Sequence, residues 1–204
     1  MQVPDVEMTS GMTSVNPRRI VCLSGKRKSG KDYIAEHLHA QLPGSIIIQI
    51  SAPIKKHWAE LKGLDLDQLL SDGPYKENYR AEMILWGEQK RATDPGFFCR
   101  SAIQLFNGDK YPIWIVSDLR RTTDLEFFTQ TYQELVTSVR ITASNEVRIQ
   151  RGFVSTPGVD DAESECGLDH VTNWDLIIQN DGENSTDFQK NLEFLINVCK
   201  KSLE

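Results

Sequence analysis

A three-layer α/β/α domain built around a five-stranded parallel sheet is the fold the sequence predicts, and three observations predict it. Short apolar runs of strand length alternate with stretches whose apolar residues recur every three to four positions, the pattern of helices crossing between parallel strands. The first such run leads without a break into a basic loop bracketed by glycines and then into a helix. The 204 residues, 39% of them hydrophobic, suffice for one core and would cramp two.

The elements follow in order. A first strand is expected over 20–23. From Asp32 the period lengthens, with Ile34, Leu38 and Leu42 on one face, and Pro43-Gly44 stops the helix. A second strand over 46–50 is rich in β-branched residues and bounded by Gly44 and Pro53. Helix predominates from 53 to 107: Tyr79, Met83 and Trp86 share a face, and Asp94-Pro95 reads as the cap and first residue of another helix. A third strand over 112–116 is apolar throughout, as befits a strand covered on both faces. Thr123-Asp124-Leu125-Glu126 has the capping-box spacing and opens a helix through Phe127 and Phe128. A fourth strand (135–141), a short helix (146–151) and a fifth strand (174–178) come next. A second capping box, Thr186-Asp187-Phe188-Gln189, opens a last helix with Phe188, Leu192, Leu195 and Cys199 on one face. Residues 153–170 have no period and contain a Pro and two Gly; loops of that length serve as lids or are disordered, so a mobile lid is expected over about 148–170. Residues 1–17 contain no Lys or Arg, match no secretory or transit signal, and read as a disordered leader to a single domain over 18–204.

Charge excludes some function classes. A net charge of −6 repels nucleic acid, whose binding is dominated by phosphate neutralisation. Positive charge is instead focused in Lys26, Arg27, Lys28 and Lys31, in Arg120-Arg121, and in Arg140, Arg148 and Arg151, a distribution suited to a small polyanion. No apolar run reaches the length of a membrane span. Cys22, Cys99, Cys166 and Cys199 are scattered without a C-x-x-C pair, which suits reduced thiols in the cytosol. A soluble, cytosolic monomer without nucleic-acid or membrane partners is therefore expected. His37, His39, His57 and His170 show no metal-ligand spacing, and Asp160, Asp161, Glu163 and Glu165 read as a solvated acidic loop.

The decisive motif is Gly25-Lys26-Arg27-Lys28-Ser29-Gly30-Lys31-Asp32, a G-x-x-x-x-G-K phosphate loop in its required context between strand and helix. The glycines let backbone amides turn inward around phosphate oxygens, the helix adds its free N–H groups and positive end, and Lys31 reaches the β and γ phosphates. This makes the fold a P-loop NTPase and the cofactor ATP with Mg²⁺. Ser or Thr ordinarily follows the lysine to bind Mg²⁺; here Asp32 stands there, still a hard oxygen ligand. Asp118, at the end of the third strand, is where a second magnesium-orienting carboxylate is expected. Arg120 and Arg121 follow at the same sheet edge, and Arg148 and Arg151 flank the lid, where closure would deliver charge and exclude water. Arg80, Arg91 and Arg100 lie on expected helices, where surface roles compete with functional ones. No N-K-x-D, H-R-D or D-F-G motif is present, which argues against a guanine-nucleotide switch or a protein kinase. An acceptor that is itself a phosphate needs no general base, only cations to hold two repelling phosphates together, and the basic composition leans that way.

The segments SGKRKSGKD, YKENYRAEMILWGEQKRATDPGFFCR, IWIVSDLRR and RGFVSTPGVDDAESECGLD resemble, in the same order, the animal form of phosphomevalonate kinase. The resemblance implies a fold like the nucleoside monophosphate kinases and transfer of the ATP γ-phosphoryl group to mevalonate 5-phosphate, giving the 5-diphosphate and ADP in isoprenoid and sterol synthesis. It implies that Lys26, Arg27, Lys28, Lys31 and Asp32 form the ATP and phosphoryl site, with Arg151 and Asn180 also contacting ATP. By the same resemblance Arg91, Arg120, Arg121 and Arg140 are candidates for the acceptor's phosphate and carboxylate. Asp181, in the loop after the last strand, is a further substrate-side candidate.

Overall fold

The computed structural model describes residues 17–71, 74–182 and 185–204. The leader expected over 1–17 lies, all but Pro17, outside the described residues. Five strands, β1 (Arg19–Ser24), β2 (Ser45–Ile48), β3 (Ile113–Leu119), β4 (Val136–Thr142) and β5 (Leu176–Gln179), form one sheet in the order β2-β3-β1-β4-β5. Every pairing is parallel.

β1 and the first half of β3 are apolar on both faces because helices cover both. On β1 and β3, Val21, Leu23, Ile113 and Ile115 point into a core shared with α1 (Lys31–Gln41) and α9 (Thr186–Lys201). The alternate residues Ile20, Cys22, Trp114 and Val116 point into a second core closed by α5 (Phe97–Leu105) and α6 (Thr122–Tyr132). The period of two in the strands thus divides one apolar run between two cores. A third cluster, Trp58, Ala59, Leu69 and Met83, joins α2 (Ala52–Lys62), α3 (Leu66–Leu70) and α4 (Arg80–Thr93) beyond the β2 edge. Between β4 and β5 lie α7 (Asn145–Gln150) and α8 (Glu163–Cys166), the latter inside the expected lid.

Several element boundaries differ from expectation for identifiable reasons. The second strand stops at Ile48, and Ile50 turns inward to become core. Asp94 does not cap a helix start: its backbone ends α4, its carboxylate pairs with Arg100, and α5 begins at Phe97 behind Gly96. The box at 123–126 does not form, because α6 starts behind Arg121, Asp124 is buried against Arg91, and the Thr123 hydroxyl is buried without a partner. The last helix is capped one residue earlier than expected, by Ser185, whose Oγ accepts from Phe188 N at 3.4 Å.

Candidate functional site

The carboxyl ends of β1, β3 and β4 meet where the strand order reverses, and β1 runs straight into the glycine-bracketed loop. The loop is tight enough to dictate its glycines. A Cβ on Gly25 would lie 2.6 Å from both Ile141 O and Ser29 Oγ. Gly30 has φ +94°, and a Cβ there would meet Asn180 Nδ2 at 2.1 Å. Lys28 also adopts positive φ. Asn180 Nδ2 donates to Ser29 O at 2.9 Å, Arg151 Nη1 donates to the same oxygen at 3.3 Å, and Arg151 Nη2 donates to Asn180 Oδ1 at 3.2 Å. Arg148 Nε donates to Arg27 O at 2.9 Å. Arg148 and Arg151 therefore brace the backbone of the loop rather than projecting from a raised lid, because α7 ends directly over it.

Lys31 opens α1 and is 5% exposed. Burial, reinforced by the nearby Arg120 guanidinium, pushes its ammonium down to about 8, against the pull of Asp32, Glu165 and Asp118. A lysine this desolvated is poised to gain from any anion placed beside it. Asp32 is exposed on the first turn of α1. Asp118 is more constrained: its Oδ1 accepts from Ile50 N at 2.6 Å and its Oδ2 from Ser51 N at 3.0 Å, tying the end of β3 to the turn after β2. No group of three or more His, Cys, Asp or Glu that could hold a metal occurs among the described residues.

Beside the loop lies a cavity of about 170 Å³, bounded by the ends of β2 and β3, by α2 and α4, and by α8. Six cationic side chains line it: Lys55, Lys76, Arg80, Arg91, Arg120 and Arg121. Arg91 and Arg121 are each 8% exposed. Arg91 Nε is 3.5 Å from Asp124 Oδ1 and its guanidinium stacks 4.5 Å from the Phe98 ring, while Arg121 pairs with Glu88. Asp124 is buried, which pushes its carboxyl upward against the pull of Arg91 and Arg121. Lys55 is lowered by burial.

The expected site residues thus fall into separate groups. Gly25 to Asp32, Arg151 and Asn180 come together at the loop; Arg91, Arg120, Arg121 and Asp118 come together at the cavity. Arg140 joins neither directly: from β4 its Nη1 donates to Ser24 Oγ at 3.0 Å and its Nη2 to Asp169 Oδ1 at 2.6 Å. Asp181 lies at the far edge of the sheet after β5, accepting from Ser144 N at 2.6 Å and Gln179 Nε2 at 2.7 Å, and does not reach the cavity that gathers the arginines. Lys55, Lys76 and Arg80 were not singled out for the cavity from the sequence; for Lys55 the available signal was a basic pair placed just after a parallel strand, the sheet edge where ligands bind. The acidic loop is also not simply solvated, since Asp160 pairs with Arg27 at 3.1 Å and Glu165 with Arg120.

Comparison with known proteins places this arrangement among relatives. The sequence profile of the family described as phosphomevalonate kinase matches residues 23–134. The phosphomevalonate kinase of Drosophila melanogaster is 47% identical over 169 residues, covering 81% of this chain and 89% of that protein. A Thermus thermophilus protein of known crystal structure superposes with a TM-score of 0.50 at 15% identity, over 93% of this chain and 100% of the other, a likeness of fold alone.

Proposed function

The chain belongs to the phosphomevalonate kinase family, and on that basis we propose that it transfers the γ-phosphoryl group of ATP to mevalonate 5-phosphate, giving mevalonate 5-diphosphate and ADP. The observation that carries the reading at the level of the site is the juxtaposition of a phosphate loop with a second cavity lined by six cations. A single-nucleotide hydrolase has no use for the second cavity; a kinase whose acceptor already carries a phosphate does.

In this reading the amides of the loop over residues 25–31 and the Lys31 ammonium hold the β and γ phosphates. The acceptor's phosphate and carboxylate lie in the cavity against Arg91, Arg120, Arg121 and the lysines, whose forks and ammonium groups match such oxygens. An acceptor phosphate oxygen attacks the γ-phosphorus in line, the bond from the γ-phosphorus to the bridging oxygen breaks, and ADP leaves. The attacking oxygen is an anion already, so no base is required. The chief obstacle is repulsion between two phosphates, about 4 kcal/mol for unit charges 4 Å apart near a protein surface. Arg120, close enough to Lys31 to perturb it, is placed to bridge the two anions. Arg151 and Asn180 act through the loop, holding its carbonyls outward so that its amides face the nucleotide.

Asp32 and Asp118 fit magnesium, which takes one or two carboxylates together with phosphates and water rather than a full protein cage. Both oxygens of Asp118 accept backbone N–H groups, which fix the carboxylate at the end of β3, where it would help hold the ion. When bound, magnesium neutralises charge on the phosphates. No helix among the described residues is long and apolar enough to cross a membrane. The four free cysteines suit a reducing compartment, and a cytosolic monomer completes the reading.

The test is acceptor-dependent ADP release with ATP and Mg²⁺, comparing mevalonate 5-phosphate, mevalonate and nucleoside monophosphates side by side. Release with mevalonate 5-phosphate alone is expected. Release only with a nucleotide would overturn the acceptor and leave the phosphate loop standing.

A further inference from the structure

The lid places its carboxylates on cations whose proposed work is to hold phosphate. Arg27 Nη1 donates to both oxygens of Asp160, at 3.2 and 3.1 Å. Arg120 pairs with Glu165. Asp169 bridges Lys26 of the loop after β1 and Arg140 of β4, with Oδ2 2.7 Å from Lys26 Nζ and Oδ1 2.6 Å from Arg140 Nη2. Within ten residues the lid therefore occupies four cations with three carboxylates, three of the cations at the loop and cavity and the fourth, Arg140, reached through Asp169. A carboxylate and the edge of a phosphate present the same pair of anionic oxygens to a guanidinium fork or an ammonium, so each cation serves one or the other. Glu165 is the most telling: its side chain is 4% exposed, Oε2 is buried with no hydrogen-bond partner, and it acts electrostatically on Lys31. A half-satisfied, desolvated carboxylate is easily displaced by a better-matched anion.

We propose that Asp160, Glu165 and Asp169 are exchangeable counter-ions, positioning residues that hold Arg27, Arg120, Lys26 and Arg140 before the phosphates arrive and yield those cations to phosphate oxygens as the site fills. This rests on the reading of the loop and cavity as phosphate sites. The lid is thereby linked to the charge state of the site: loading with phosphates detaches it from its ion pairs, and emptying the site draws it back. By reciprocity, a change that removes one of these three paired carboxylates tightens polyanion binding. That direction is diagnostic, since loss of a merely structural contact leaves binding unchanged or weakens it.

The experiment is calorimetric titration of inorganic pyrophosphate into the full chain at fixed ionic strength, for the parent protein, Asp169→Asn, Glu165→Gln and Asp161→Asn. Asp160 is left alone because its Oδ2 also accepts from Thr156 N at 2.7 Å and shapes the turn. Asp169, 38% exposed, is screened, so its loss is expected to tighten binding about two- to fivefold. Glu165→Gln, in the drier pair, is expected to tighten binding by about tenfold. Asp161 is exposed on the same lid, and removing its charge is expected to change nothing. If Glu165→Gln does not fold, Asp169→Asn carries the test. Unchanged or weaker binding in Asp169→Asn overturns the exchange, and so does equal tightening in Asp161→Asn, which would make the effect one of general charge. Failure of the parent protein to bind pyrophosphate would instead overturn the phosphate-site reading, and this inference with it.

Discussion

Replacing Lys31 with Met is expected to make the ligand-free protein more stable while removing its turnover. The lysine opens α1 at 5% exposure, and its ammonium is displaced from 10.5 to about 8, chiefly by burial. At about 1.36 kcal/mol for each pH unit, holding the charge in the loop at neutral pH costs about 3 kcal/mol. Methionine fills much the same space without the charge. The folded protein releases this proton at lower pH than the unfolded chain, so between about 8 and 10.5 it binds fewer protons and its stability rises with pH. Below about pH 8 the full penalty is present; above 10.5 it is gone. The variant lacks that rise, so it should exceed the parent by about 3 kcal/mol at pH 7, roughly 6–12 °C in Tm for a chain of this size, and the gap should close by pH 10.5. Thermal unfolding of both proteins at pH 7 and pH 10, run beside the ADP-release assay, reads both effects. Turnover should fall by ~10² or more, as when a group that stabilises transferring charge is removed. A variant no more stable than the parent at pH 7, or a gap of equal size at both pH values, would refute the claim that the loop stores the cost of a desolvated charge for phosphate to relieve.

Three further outcomes follow from the geometry. Gly30→Ala forces a side chain onto φ +94° and against Asn180 Nδ2, so it should lose about 1–2 kcal/mol in urea unfolding from backbone strain alone, together with nucleotide binding; wild-type ATP affinity would contradict it. Asn180→Ala removes the 2.9 Å bond to Ser29 O and the acceptor for Arg151, and steady-state kinetics should show KM for ATP rising about tenfold with KM for the acceptor unchanged, alongside a stability loss of about 1–3 kcal/mol. Arg121→Met should show the opposite split, with KM for mevalonate 5-phosphate raised at least about tenfold and KM for ATP unmoved, because Arg121 lines the cavity and makes none of the bonds to the loop. Equal changes in both KM values would merge the two subsites.

Features set by neighbours in the chain were legible in advance. The phosphate loop was recognisable because Gly25 and Gly30 stand where backbone and side chains leave no room for a Cβ, a local demand that writes itself into the sequence at fixed spacing. The parallel sheet was recognisable because a strand covered on both faces must be apolar along its covered length, as β3 is from Ile113 to Val116. Helix starts were less secure. Asp94, Thr123 and Thr186 each have the chemistry of a cap, yet Asp94 is taken by Arg100, the start near Thr123 gives way to burial of Asp124 beside Arg91, and Ser185 precedes Thr186 to the cap.

The sequence by itself determined the fold class, the phosphate loop with Lys31 and the resemblance to a family. Only the tertiary structure decided which charges meet: that Lys55, Lys76 and Arg80 join Arg120 around one cavity, that Asp181 lies away from it, and that Asp160, Glu165 and Asp169 rest on Arg27, Arg120, Lys26 and Arg140. The reason is physical. Backbone conformation and apolar period are governed by residues within a turn or a strand of one another, whereas a charge pair depends on a few ångströms between side chains separated by tens of residues, and that distance exists only once both cores have closed the sheet between them.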